Sequence, residues 1–180
     1  MAAWFGLVMR GGKLVGSRDE DSLGLAQRLV GEDGLLAFRE WLEVTPRDER
    51  EVAVCASFEV CAWMIQADGE LDHEERELFQ DMLAHSDLRD ELQEQMVHAV
   101  DDLPSLVDLE QRLVDPILRE LTFGLCWEIA VSNGEIVPME RAFHTGLASR
   151  LQIEEARANE IRAEVETRPS LFDVSPLESA

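Results

Sequence analysis

Asp68, Glu70, Asp72 and Glu75 crowd around Gly69 in the string Gln66-Ala67-Asp68-Gly69-Glu70-Leu71-Asp72-His73-Glu74-Glu75. Carboxylates this close raise one another's pKa unless a cation or an arginine neutralises them. Arg76 and Arg141 are the local arginines for that task. Hard oxygen donors suit a divalent ion such as calcium or magnesium. A calcium loop with Gly69 at its sixth position would place Glu70, Asp72 and Glu75 at ligand positions seven, nine and twelve. Its first and third positions would be Met64 and Gln66, and a thioether gives calcium no hard oxygen. The string is therefore not an EF-hand. What it can offer is an open site holding a divalent cation weakly, with Kd on the order of 10⁻⁴ to 10⁻³ M.

A thinner copy follows 65 positions on, as Val131-Ser132-Asn133-Gly134-Glu135-Ile136-Val137-Pro138-Met139-Glu140. Asn133 stands for Asp68, Glu135 for Glu70 and Glu140 for Glu75, while Val137 replaces Asp72. The same residues also read as turn signals without any ligand. Gly69 and Gly134 suit a left-handed helix end, and Leu71 and Ile136 plug a core. Asp72 caps the next helix, Glu75 and Glu140 sit three residues on as in a capping box, and Pro138 takes over part of the start signal.

The flanking segments must position these turns. From Val52 to Ile65 only Ser57 and Glu59 are polar, too apolar for a surface helix and too short to cross a bilayer. Thr45-Pro46 predicts its start, with Thr45 as cap and Pro46 in the first turn. Leu78, Phe79, Met82 and Leu83 give the following helix its apolar face. Asp87 then caps a helix turning Leu88, Leu92, Met96, Val97 and Val100 inward, and Pro104 opens a short one using Leu106, Leu109, Leu113 and Val114. Asp115-Pro116 starts a second central helix, Val137-Pro138 its partner to Arg150, and a last helix runs from about Glu154 to Thr167 on Ala158, Ile161 and Val165. Two short helices are expected before Thr45, the second capped by Asp33. No stretch alternates long enough to demand a sheet. The expected fold is an all-α bundle of seven to nine helices, built as two pseudo-symmetric halves of paired helices.

The chain of 180 residues carries a formal net charge of −22. Such a surface repels nucleic acid and anionic lipid at long range and attracts cations or basic partners. Between Asp68 and Glu94 eleven acids face two arginines. Cys55, Cys61 and Cys126 lie in apolar helical runs, an odd set without a disulfide framework, which predicts buried thiols in a reducing, cytoplasmic setting. Cys61 and Cys126 are themselves 65 apart and predict a shared packing position. The apolar patch Ala2 to Met9 lacks a preceding basic residue and falls far short of the ~20 residues of a membrane span, so direct membrane insertion is not expected. Residues 1–45 read as an N-terminal extension with short helices, 46–167 as the helical domain and 168–180 as a tail.

Other chemistry finds little support. The one Glu-x-x-His string, Glu70 to His73, lies in the turn, so a di-iron bundle is not indicated. No Gly-rich phosphate loop, nucleophile elbow or Cys/His ligand set occurs. Glu59, the one acid inside the apolar run, needs a partner.

Ala67-Asp68-Gly69 with Glu75, after an apolar helix, and its weak copy Ser132-Asn133-Gly134-Glu135 with Glu140 resemble the TerB family of tellurite-resistance proteins. The related domain of membrane-anchored DnaJ-like co-chaperones shares the pattern. The likeness spans about Val52 to Val165. It implies a bacterial, all-helical, non-enzymatic protein of two similar halves, working in a stress- or metal-linked, membrane-associated complex. Carried over by position, the acidic cluster comprises Asp68, Glu70, Asp72 and Glu75, joined by Glu135 and Glu140. The implied partner is a protein, basic or part of a membrane complex. No cofactor is required, and a weakly bound divalent cation is the one this cluster can take. A soluble metal sensor or buffer, and a carboxylate metalloenzyme using the first four acids, are the alternatives.

Overall fold

The computed structural model describes residues 25–69, 71, 73–84, 86, 88–132 and 136–167. Eight helices account for most of them: α1 Leu25–Val44, α2 Arg47–Ile65, α3 His73–Ala84, α4 Asp90–Val97, α5 Leu109–Arg112, α6 Pro116–Ser132, α7 Pro138–Arg150 and α8 Glu155–Glu166. No strand occurs among the described residues, as the patterning predicts.

The apolar runs become the two central helices, α2 and α6, which cross in the core. Ser57 Oγ lies 2.9 Å from Thr122 Oγ1, and Cys61 Sγ lies 4.0 Å from Cys126 Sγ. Each pair joins residues 65 apart, so each residue touches its own counterpart. That happens only where a pseudo-two-fold axis passes between the helices. One turn separates the two pairs along each helix, which gives a straight seam. The offset continues outward: α3 and α7 begin at 73 and 138, and α4 and α8 at 90 and 155. The repeated unit is thus a triplet of helices rather than the expected pair.

Local signals explain most boundaries. Asp115 Oδ1 accepts a hydrogen bond from Leu118 N at 2.8 Å and caps α6, with Pro116 as its first residue. At the start of α2 the expectation fails. Pro46 occupies the cap position, the helix begins at Arg47, and no side-chain bond closes its end. Asp48 and Glu49 in the first turn still complement the helix dipole. Pro104 opens no helix. Residues 103–106 are irregular, Pro104 O accepts from Trp63 Nε1 at 2.6 Å, α5 covers only Leu109–Arg112, and Val114 is exposed. The helix expected after Asp87 starts only at Asp90, and Asp87 lies outside the described residues.

Gly31, at φ 70° and ψ 177°, divides α1 into the two short segments that the periodicity predicts. Although α1 precedes the repeat, it packs along α6 and α8. Gly124 of α6 makes the approach possible, since a Cβ there would lie 2.5 Å from Leu29 Cδ1. Arg28 pairs with Glu164 of α8 at 2.7 Å.

Candidate functional site

The first acidic turn grows out of the C-terminus of α2. Ala67 N bonds Met64 O and Gly69 N bonds Gln66 O, while Gln66 Nε2 reaches Val100 O at 2.7 Å. Gly69 then bends the chain at φ 83°, the left-handed value expected of it. Leu71 packs on the core as the predicted plug, and Ile136 does the same after the second turn. Glu140 Oε2 accepts from Val137 N at 2.8 Å, which ties the third residue of α7 back to the residue before the helix. This carboxylate therefore has a structural task.

Glu140 also reports where the two turns lie. Its side chain is buried, and its carboxyl is pushed above the ordinary value. Burial is the main cause; the Val137 amide opposes it, and the nearby charges of Asp68 and Glu75 add to it. Asp68 is exposed and Glu75 is buried. Three acids, two from the first half and one from the second, thus share one local field. The remaining candidates, Glu70, Asp72 and Glu135, lie outside the described residues, as do Asn133 and Gly134.

The two local arginines have contacts of their own. Arg76 makes a two-pronged bond to Asp101, at 2.7 Å and 2.6 Å, and lowers that carboxyl's pKa. Arg141 lies with its guanidinium carbon 5.4 Å from the ring centroid of Trp127. Among the described residues no three His, Cys, Asp or Glu side chains converge as a metal cage. The donor chemistry is hard oxygen, and one oxygen of Glu140 already serves the helix cap. These groups fit a cation held by charge at an open turn rather than one enclosed by a full ligand set.

Further polar groups lie beyond the turns. Glu59, as expected, has a partner: Arg112 of α5 bonds it directly. Buried Glu51 is bonded by Arg89 and Arg47, and Arg89 also reaches Asp48. Burial works against the Glu51 carboxylate, but Arg89 outweighs it and holds its pKa below the ordinary value. On the other half His144 is fully buried, stacked 3.9 Å from the Phe123 ring. Its position corresponds to Phe79, whose ring meets Phe58 edge-on at 5.9 Å. Phe58 is in turn the counterpart of Phe123. The repeat offset is the signal that could have found this pair, since it sets a histidine against a core phenylalanine.

Two repeated helix triplets around a packed central pair, with Asp68, Glu75 and Glu140 near one another, define a helical domain of duplicated design. The family model described as tellurite resistance protein TerB matches residues 51–163, from the first turns of α2 into α8. The chain belongs to that family. TerB domains are in general non-catalytic helical interaction modules. Neither the comparison with curated proteins nor that with solved structures gave a match. No helix among the described residues is long and apolar enough to cross a membrane.

Proposed function

We propose that this protein is a non-enzymatic interaction or scaffold domain of a stress- or metal-linked response of the tellurite-resistance kind. Its acidic turns present carboxylates to a divalent cation or to a basic protein partner, including one belonging to a membrane complex. The observation that carries the reading is the shared field of Asp68, Glu75 and Glu140. Like charges gathered from both halves raise the energy of the ionised state, and a cation or a basic side chain lowers it again. Glu70, Asp72 and Glu135 stand beside these acids in the sequence and are the further carboxylates this reading includes. The role as cation sensor draws on the same carboxylates and differs only in what occupies them.

Titration calorimetry with Ca²⁺, Mg²⁺, Mn²⁺ and Zn²⁺ tests the reading. The expected result is weak binding of the hard cations, on the order of 10⁻⁴ to 10⁻³ M, with a rise in melting temperature that Glu140→Gln diminishes. Glutamine keeps an acceptor for the Val137 amide, so the helix cap survives while the charge is lost. Absence of heat and of any thermal shift at millimolar cation would remove the cation and leave protein interaction alone. Preference for Zn²⁺ over the hard ions would contradict the carboxylate assignment.

A further inference from the structure

A cavity of about 400 Å³ lies between the end of α2, the segment 105–107 and α7. Its walls are mostly apolar, with Trp63, Val107, Phe143 and Leu147 among them. The Trp63 indole is pinned by its bond to Pro104 O, and its ring lies nearly parallel to that of Phe143, at 9° with 6.3 Å between centroids. Val107 is 68% exposed. Three other residues of the lining have capacity that the fold does not use. Arg47, Arg76, Arg89, Arg112 and Arg157 each pair with a carboxylate. Arg150 has no such partner among the described residues, in a chain of net charge −22, and its bond to Leu106 O is a long one of 3.4 Å. Ser105 Oγ accepts from Val107 N at 3.2 Å and keeps its proton for another acceptor. Gly146 stands inside α7, where glycine weakens a helix, yet a Cβ there would meet nothing within 4 Å. Packing among the described residues therefore does not call for glycine, which leaves the helix backbone bare towards the cavity. The repeat offset carries Gly146 and Arg150 onto Asp81 and His85, so the duplicated frame does not dictate them either.

We infer that this cavity binds a small aromatic carboxylate. Ligand cavities of ~300–1,000 Å³ are typically apolar with a few placed polar groups, and this one has that composition at the small end of the range. The flat body of the ligand is matched by the two parallel rings of Trp63 and Phe143. The bare backbone at Gly146 lets that body approach α7 closely. The charge is matched by Arg150, whose planar guanidinium suits a carboxylate, and the Ser105 hydroxyl is a second donor. A cationic ligand would meet Arg150 as a like charge, and a neutral one would leave it without a partner. The site is separate from the acidic turns and adds a ligand to the role proposed for them; neither depends on the other.

The test uses three probes of one shape: 2-naphthoate, neutral 2-naphthamide and cationic 2-naphthylmethylamine. Equilibrium dialysis with the full chain measures their binding. Naphthoate is expected to bind, the amide about tenfold more weakly for want of a charge-assisted bond, and the amine not at all. Arg150→Gln should bring naphthoate down to the level of the amide. Gly146→Leu should fill the cavity and weaken both at least tenfold. Leucine is a better helix former than glycine and the space is open, so this variant should melt no lower than the wild type, which circular dichroism checks. In NMR spectra naphthoate should move the indole N–H resonance of Trp63, assigned with Trp63→Phe, and leave that of Trp127 in place. No naphthoate binding at millimolar ligand would overturn the inference. Unchanged affinity in folded Gly146→Leu would place the ligand elsewhere and overturn it too. Equal affinity for naphthoate and the amide, or a preference for the amine, would show that Arg150 does not select the charge, and the carboxylate assignment would fall.

Discussion

Replacing His144 by phenylalanine, the residue at the equivalent position of the other half, should change how stability depends on pH. Arg162 Nε donates to His144 Nδ1 at 3.1 Å, and a guanidinium can only donate. The other ring nitrogen, Nε2, must therefore carry the proton and donate to Phe123 O at 2.9 Å. A second proton on the ring would break the Arg162 bond and set two cations together. Burial lowers the pKa first, the Phe123 carbonyl opposes it, and Arg162 lowers it further, from 6.5 to about 3. Between those values the unfolded chain takes up a proton that the folded ring refuses, so stability falls as pH falls below 6.5. Each unit is worth about 1.4 kcal/mol, or about 2 kcal/mol lost between pH 8 and pH 5. At pH 8 the phenylalanine variant lacks two hydrogen bonds, one of them to a charged group, at a cost of about 1.5–3 kcal/mol that the added apolar burial partly offsets. Urea unfolding of both chains at pH 8, 6.5 and 5 measures the difference. The wild type should lead by about 1 kcal/mol at pH 8 and lose that lead by pH 5. Carboxylates such as Glu51 titrate in both chains and cancel. A gap of constant size across the three pH values would refute the assignment of His144 as a buried neutral ring.

Two further substitutions probe the frame. Arg112→Met should destabilise the domain by about 2–4 kcal/mol, because it leaves Glu59 charged and largely enclosed; a companion Glu59→Met should restore most of the loss in denaturant melts. If the single and double variants melt together, Glu59 does not depend on Arg112. Gly69→Ala should cost about 1–2 kcal/mol, since φ 83° is left-handed. Thermal melting reads that cost, and an unchanged melting temperature would mean that the turn relaxes into another conformation.

Much of the frame was legible because it is local. The start at Asp115-Pro116, the turn at Gly69 and the full span of α7 follow from residues adjacent in the chain. The 65-residue offset was legible too, since it is a pattern in the sequence, and it already tied Cys61 to Cys126. What local rules could not supply was which distant residues meet. Arg76 stands one position after Glu75, yet it reaches across to Asp101. Trp63 Nε1 takes the carbonyl of Pro104, 41 residues away, and holds the loop where a short helix was expected. Val52 begins the apolar run, but its helix turns it outward and buries Glu51 against Arg89 instead. The convergence of Glu140 with Asp68 and Glu75 is of the same kind. The repeat places these acids at related positions of the two halves, and only the packing of α2 against α6 brings Glu140 within reach of Asp68 and Glu75.

The central claim is therefore best tested at Glu140 itself, by following its side-chain carboxyl through a pH titration with ¹³C NMR, in the wild type and in Asp68→Asn. The wild-type pKa should stand above the ordinary glutamate value and fall when the Asp68 charge is removed. A Glu140 that titrates at the ordinary value and ignores Asp68 would show that the two turns do not share a field, and the proposed acidic site would have no basis.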